Sequence, residues 1–163
     1  MERDQASKFI VDLLKLMVSR NGSDLFITSD FPPAIKVDGK VTKVSPQPLT
    51  AQHTMALARS IMNDKQSAEF ERTKECNFAI SPAEVGRFRC NAFMQQGKVG
   101  MVLRVIPALL PTIDGLGVPQ VLKEVVTAKR GLCIMVGATG SGKSTTLAAM
   151  VDWRNLNTYG HII

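Results

Sequence analysis

The sequence predicts an α/β chain in two parts, an α+β front followed by the beginning of a βαβ unit. Three observations lead there. The first hundred residues interleave helical periodicity with short β-prone runs divided by turn dipeptides. Near residue 107 the composition shifts to proline and glycine. Behind that shift a continuous apolar run leads through a glycine-rich loop into a helical stretch. With 163 residues, 45% of them hydrophobic, the chain can bury the core of one domain or of two small ones.

Taken in order, Phe9, Leu13, Leu14 and Met17 fall on one helical stripe, with Gly22 expected to end the helix. SDLFITS, at 23–29, reads as a strand. In PPAIKVDGKVTKV, Asp38-Gly39 between two β-prone runs signals a hairpin. Thr50 is placed to cap a helix running to about Asn63, DKQSAEFERTKE continues as a second helical piece, and ECNFAIS at 75–81 is a further strand.

The stretch GRFRCNAFMQQGKVGMVLRVIP carries the most information in the front half. With Gln96-Gly97 as a two-residue hairpin loop, Gln95 faces Lys98 and the remaining pairs follow by counting outward. One face then pairs Met94 with Val99, Ala92 with Met101, Cys90 with Leu103 and Phe88 with Val105, all apolar. A slip of one residue would scatter these between core and solvent. The other face sets Arg89 directly opposite Arg104, with Arg87 two residues along. Like charges so opposed cost on the order of 0.2–1 kcal/mol. Either the pair asks for an anion, or two long side chains splay into water.

IPALLPTIDGLGVP reads as a linker, assigned to 107–118. In PQVLKEVVTAKRG, Pro119 suits a first helical position and Gly131 a stop. GLCIMVG has the look of a strand buried on both faces of a parallel sheet, KSTTLAAMVDWRNLN is helical, and GHII begins another strand.

Between the buried run and the helix, GATGSGKS at 137–144 matches G-x-x-x-x-G-K-[ST] in full. Its glycines let backbone N–H groups turn inward around a phosphate, and the helix that follows points its positive end at the same spot. The predicted cradle comprises Gly137, Ala138, Thr139, Gly140, Ser141, Gly142, Lys143, Ser144 and Thr145. Lys143 would serve the β- and γ-phosphates, Ser144 would ligate Mg²⁺, and Thr145 would add a donor toward the α-phosphate. Such a loop reads phosphates and is silent about the base.

Cys76, Cys90 and Cys133 are odd in number and lack a CxxC pair, which favours reduced thiols over a zinc or redox site. No run is long enough to span a bilayer and no secretory signal is legible, so the expectation is a soluble, cytoplasmic protein. The formal charge of +6 is scattered, the densest groups being pairs such as Lys129-Arg130, so nucleic acid is not expected as a partner.

The succession GSDLFITS, PPAIKVDGKV, ECNFAIS, GRFRCNAF, VGMVLRVI, KRGLCIMVGATGSGKST and GHII resembles, from about Phe9 to Ile163, the secretion ATPases that power type IV pilus retraction. This is the PilT/PilU family. Phe26 stands where PilT-like members carry a histidine in the SDL strand, which sets the chain on the PilU side.

The resemblance implies a PAS-like N-terminal domain over 1–106, the linker over 107–118, and the start of a RecA-like P-loop domain over 119–163. It implies ATP with Mg²⁺, a hexameric ring at the inner-membrane base of the pilus machine, a paralogous retraction ATPase as partner, and twitching motility as the output. Membrane association would be peripheral, through partners. It also gives Arg89 and Arg104 the role of reaching the γ-phosphate from the N-terminal domain. In the family, GHII runs on into a segment with the catalytic glutamate, then a Walker B strand and a histidine box. The chain is therefore expected to be the front of a longer enzyme, close to inactive alone, with 112–163 frayed, paired with another copy or packed abnormally.

Two other functions fit parts of the sequence. One is a non-enzymatic PAS-like assembly or partner-binding module with a vestigial nucleotide site. The other, a nucleic-acid motor, rests only on net charge and shared fold.

Overall fold

The structure, a computed structural model, describes residues 2–107, 109–138 and 141–163. The chain divides into two compact units, Met1–Pro107 and Ala108–Ile163.

In the first unit, α1 (Arg3–Ser19) precedes β1 (Asp24–Thr28), β2 (Ala34–Val37) and β3 (Lys40–Lys43). Then come α2 (Ala51–Ile61), α3 (Asp64–Thr73), β4 (Glu75–Ile80), β5 (Arg87–Gln95) and β6 (Lys98–Ile106). The strands form one antiparallel sheet in the order β3-β2-β1-β6-β5-β4.

The buried stripe of α1 runs through Ala6, Ile10, Leu13, Leu14 and Met17. Phe9, expected on that stripe, is exposed beside it. The helix stops because Asn21 enters the left-handed region at φ 54°, and the Gly22 amide then donates to the Met17 carbonyl at 2.8 Å. Gly22 is needed for proximity: a Cβ there would lie 2.7 Å from Met17 Cγ.

Both hairpins have the two-residue loops expected of them. Asp38 and Gly39, like Gln96 and Gly97, take positive φ at both positions, the backbone sense that matches the twist of the flanking strands. The β5–β6 register is the one counted from the sequence, from Gln95 opposite Lys98 out to Phe88 opposite Val105. Thr50 and His53 form a reciprocal cap on α2. Asn63 does not end α2; with Gln66 it caps α3 in the same way.

One face of the sheet is closed by helices. Leu25, Ile27, Ile35, Phe88, Cys90, Ala92, Met101 and Leu103 are buried in one cluster with the apolar stripe of α1 and with Leu57 and Ala58 of α2. Alternation sends Asp24, Arg89, Asn91, Phe93, Val102 and Arg104 to the opposite face.

The second unit holds α4 (Val121–Thr127) and α5 (Lys143–Asn157). Ile113, Ala149 and Met150 form its small core, flanked by Leu122, Val126 and Trp153. Arg154 ties the helices together by donating through Nη1 to the Val126 carbonyl at 2.5 Å, and Lys123 lies 4.4 Å from the Trp153 ring centroid.

Two expectations need correction here. The helix foreseen from Pro119 to Gly131 is only the seven residues of α4. The strands foreseen at 131–137 and 160–163 are not formed among the described residues: Leu132, Ile134 and Val136 are exposed. A parallel strand takes its hydrogen bonds from neighbouring strands and its burial from helices on both faces, and these described residues have no strand beside them.

Candidate functional site

The uncovered sheet face of the first unit carries a row of charge. Following the register across strands, Arg89 of β5 faces Arg104 of β6, which faces Asp24 of β1, which faces Lys36 of β2. The expectation that the arginine pair asks for an external anion is amended by this row. Arg104 Nε donates to Asp24 Oδ1 at 2.7 Å, so one of the two like charges is compensated inside the sheet. The pairing was hidden because it joins residues 80 positions apart.

Asp24 is a buried acceptor; its side chain is only 5% exposed, whereas that of Arg104 is 68% exposed. Ser23 Oγ donates to Asp24 Oδ2 at 2.8 Å. Burial pushes the carboxyl's pKa up. The hydrogen bonds from Arg104 and Ser23 and the charges of Arg104 and Lys36 outweigh that, holding it below the ordinary carboxylate value.

Arg89 has no carboxylate within ion-pair distance among the described residues. It shares with Arg104 an open concavity of ≈ 550 Å³, also lined by Asn77, Asn91, Phe93 and Val102. The Asn91 amide donates to Asn77 Oδ1 at 3.1 Å and to Glu75 Oε1 at 3.2 Å. Arg87 sits opposite Ile106 and does not line the concavity.

A larger concavity of the unit, ≈ 780 Å³, lies by Arg3, Met55, Arg59, Met62 and Glu71. Its arginines are already engaged, Arg59 with Glu71 at 2.9 Å and Arg3 with the Met62 carbonyl at 3.3 Å. The smaller concavity on the sheet face is therefore the better anion receptor.

In the second unit the glycine-rich loop leads into α5. Thr139 and Gly140 lie outside the described residues; Gly137, Ala138, Ser141, Gly142, Lys143, Ser144 and Thr145 are placed. Gly142 is the N-cap, at φ 87°, and offers no side chain to cap the first turn. The leading amides of a 15-residue helix thus keep their donors for something else. A Cβ on Gly137 would meet Ser141 Oγ at 2.7 Å, so a side chain there would have to displace the serine hydroxyl from the loop. Lys143 Nζ donates to the Ala138 carbonyl at 2.6 Å, bending its charge back over the loop. Ser144 and Thr145 are exposed on the first turn.

Of the predicted residues, Arg89 and Arg104 come together in one concavity, and the placed cradle residues come together at the head of α5. Asp24, Asn77, Asn91 and Phe93 were not singled out. From the sequence SDLFITS reads only as a strand; in the structure Asp24 shares a strand face with Phe26, and the strand order brings it to Arg104.

The stretch 137–144 matches G-x-x-x-x-G-K-S in sequence and leads into α5. The sequence profile of the type II/IV secretion system protein family matches residues 2–163, and the chain belongs to that family. It is 52% identical over 151 residues to the type IV pilus ATPase PilU of Pseudomonas aeruginosa, covering 93% of this chain and 40% of that one. With the type IV pilus retraction ATPase PilT of the same organism it shares 44% identity over 154 residues, covering 94% and 45%. The crystal structure of the pilus retraction motor PilT with bound ADP superposes with a TM-score of 0.83 at 36% identity, covering 90% of this chain and 43% of that one. The chain spans under half the length of these relatives. No helix among the described residues is long and apolar enough to cross a membrane.

Proposed function

We propose that this chain is the nucleotide-binding part of a motor ATPase that drives type IV pilus retraction. The observation that carries the reading is the head of α5: an uncapped first turn, glycines at Gly137 and Gly142, and Lys143 beside the loop. These features fit a polyphosphate, whose oxygens would take the free amide donors and draw the Lys143 ammonium off the Ala138 carbonyl. The similarity to one protein named a type IV pilus ATPase and to another named a type IV pilus retraction ATPase supports this reaction and setting.

ATP is the proposed nucleotide. Mg²⁺ fits as well: it needs few protein ligands when phosphate oxygens and water complete its octahedron, and the Ser144 hydroxyl stands on the exposed first turn. When bound, the ion neutralises charge on the phosphates. Arg89 and Arg104 are proposed to read the terminal phosphate from the first unit, a role that in phosphoryl transfer contributes about 10³–10⁵ in rate. Residues 1–106 are proposed as a PAS-like domain and 119–163 as the start of a RecA-like domain, with 107–118 proposed as the linker although Ile113 of that stretch packs in the second unit's core. A homohexameric ring, cytoplasmic, at the inner-membrane base of the pilus machine, with a paralogous ATPase as partner, completes the proposal.

The test is ATP affinity by titration calorimetry for the chain and for Lys143→Ala. A loss of about tenfold or more, the effect of removing a charge-assisted contact, supports the reading. Equal affinity would favour a vestigial site in a non-enzymatic module.

A further inference from the structure

We infer that Asp24 is the positioning residue for Arg104, fixing its guanidinium through Nε so that the terminal Nη groups are presented to a phosphate. The inference rests on the reading of Arg104 as a phosphate contact and adds the group that aims it.

A long arginine side chain on an open sheet face, 68% exposed, loses rotamer freedom whenever it binds an anion. An acceptor already holding the Nε–H removes part of that cost in advance. Asp24 is built for this. Its carboxylate is buried, lies directly across the β1–β6 ladder, and is itself held by Ser23 at 2.8 Å. The bond at 2.7 Å uses Nε alone, so both Nη nitrogens stay available to chelate two phosphate oxygens. Arg89, opposite Arg104, is placed to take a third oxygen.

Two physical effects of Asp24 oppose one another, which makes the inference testable. Its negative charge repels an incoming anion, so neutralising it should strengthen anion binding at Arg104 by simple electrostatics. Its hold on Nε prepays the ordering, so releasing it should weaken binding. Positioning predicts that the second effect wins.

The experiment follows the Arg104 Nε–Hε cross-peak by ¹⁵N NMR in the whole chain, assigned through Arg104→Lys, during titration with inorganic tripolyphosphate. In the unmodified chain the Hε proton should exchange more slowly than that of Arg89, and the peak should shift on titration. In Asp24→Asn it should exchange faster and need about 2- to 10-fold more tripolyphosphate to reach its midpoint, the cost of ordering one long side chain. An equal or lower midpoint in Asp24→Asn would overturn the inference, while the phosphate reading stood. No shift of the Arg104 peak in any form would instead remove the phosphate reading, and the inference with it. Should Asp24→Asn fail to give a folded amide spectrum, Ser23→Ala decides: faster Hε exchange than in the unmodified chain supports positioning, and identical exchange rejects it.

Discussion

The Phe93 ring of β5 lies over Gly100 of β6, its directly opposed partner, closely enough that a Cβ on Gly100 would stand 2.9 Å from two ring carbons. The glycine leaves room for the aromatic ring, and the ring covers backbone that would otherwise be bare, an arrangement that pins hairpin register. Because Phe93 also lines the arginine concavity, Gly100→Ala is expected to do two things. Overpacking should cost about 1–3 kcal/mol in urea denaturation. The displaced ring should also lower the anion response of Arg89 and Arg104. In Phe93→Ala the same glycine substitution should cost little, giving a clear coupling energy in a double-mutant cycle.

The Asp24–Arg104 bond gives the first unit an acid-labile component. The carboxyl's pKa is lower in the folded state than in the unfolded chain, so the stabilisation is present in full above the unfolded value of about 3.9. It is lost as the pH falls through the folded value, because the unfolded chain takes up the proton first. The stability difference between the unmodified chain and Asp24→Asn should therefore be constant near neutrality and shrink below about pH 4. Urea denaturation at a series of pH values measures it; a difference that grows in acid would contradict the assignment.

Much of this architecture was legible in local pattern. The β5–β6 register followed from one hairpin loop and four apolar pairs, because a slip of one residue would invert both faces. The caps of α2 and α3 are likewise local, each closed within three residues, although Asn63 changed sides. What escaped was non-local. Asp24 meets Arg104 only because β1 inserts beside β6, and nothing within either strand announces that neighbour. The apolar run at 132–136 escaped for the reverse reason: its composition was read as burial, but burial requires partner strands that these residues do not have.

The three cysteines should separate sharply by reactivity. Cys76 and Cys90 are buried, and burial pushes the Cys90 thiol up to about 12, so it stays protonated and inert at neutral pH. Cys133 is exposed. Ellman's reagent at pH 8 is expected to consume one thiol per native chain quickly and the other two only on unfolding. In Cys133→Ser the fast phase should vanish. Two fast thiols in the native chain would show that the core of the first unit opens readily.

The cap on α2 gives a smaller, cleaner test. Thr50 accepts the His53 amide at 3.2 Å, and the His53 ring accepts the Thr50 amide in return. Thr50→Ala removes the side-chain half of that exchange and should cost about 1 kcal/mol, whereas Thr50→Asp should cost little or nothing. Chemical denaturation of the first unit's transition measures both.

Contrasting hydrogen exchange is expected between two apolar stretches of similar composition. In β5 and β6 the amides are laddered, and the inward side chains of Phe88, Cys90, Ala92, Val99, Met101 and Leu103 are buried. In the run from Leu132 to Val136, Leu132, Ile134 and Val136 are all exposed, and no strand lies alongside. Protection scales with the free energy needed to expose an amide. Peptides covering 87–106 should therefore exchange at rates set by unfolding of the unit, and peptides covering 131–138 nearly as fast as unstructured chain. An exposed apolar run is also a surface on which a second copy can pack. Raising the protein concentration should then slow exchange at 131–138 while leaving 87–106 unchanged, and Ile134→Lys should abolish that concentration dependence without altering the stability of the first unit. Strong protection of 131–138 at high dilution would show instead that the run finds a partner within the same chain.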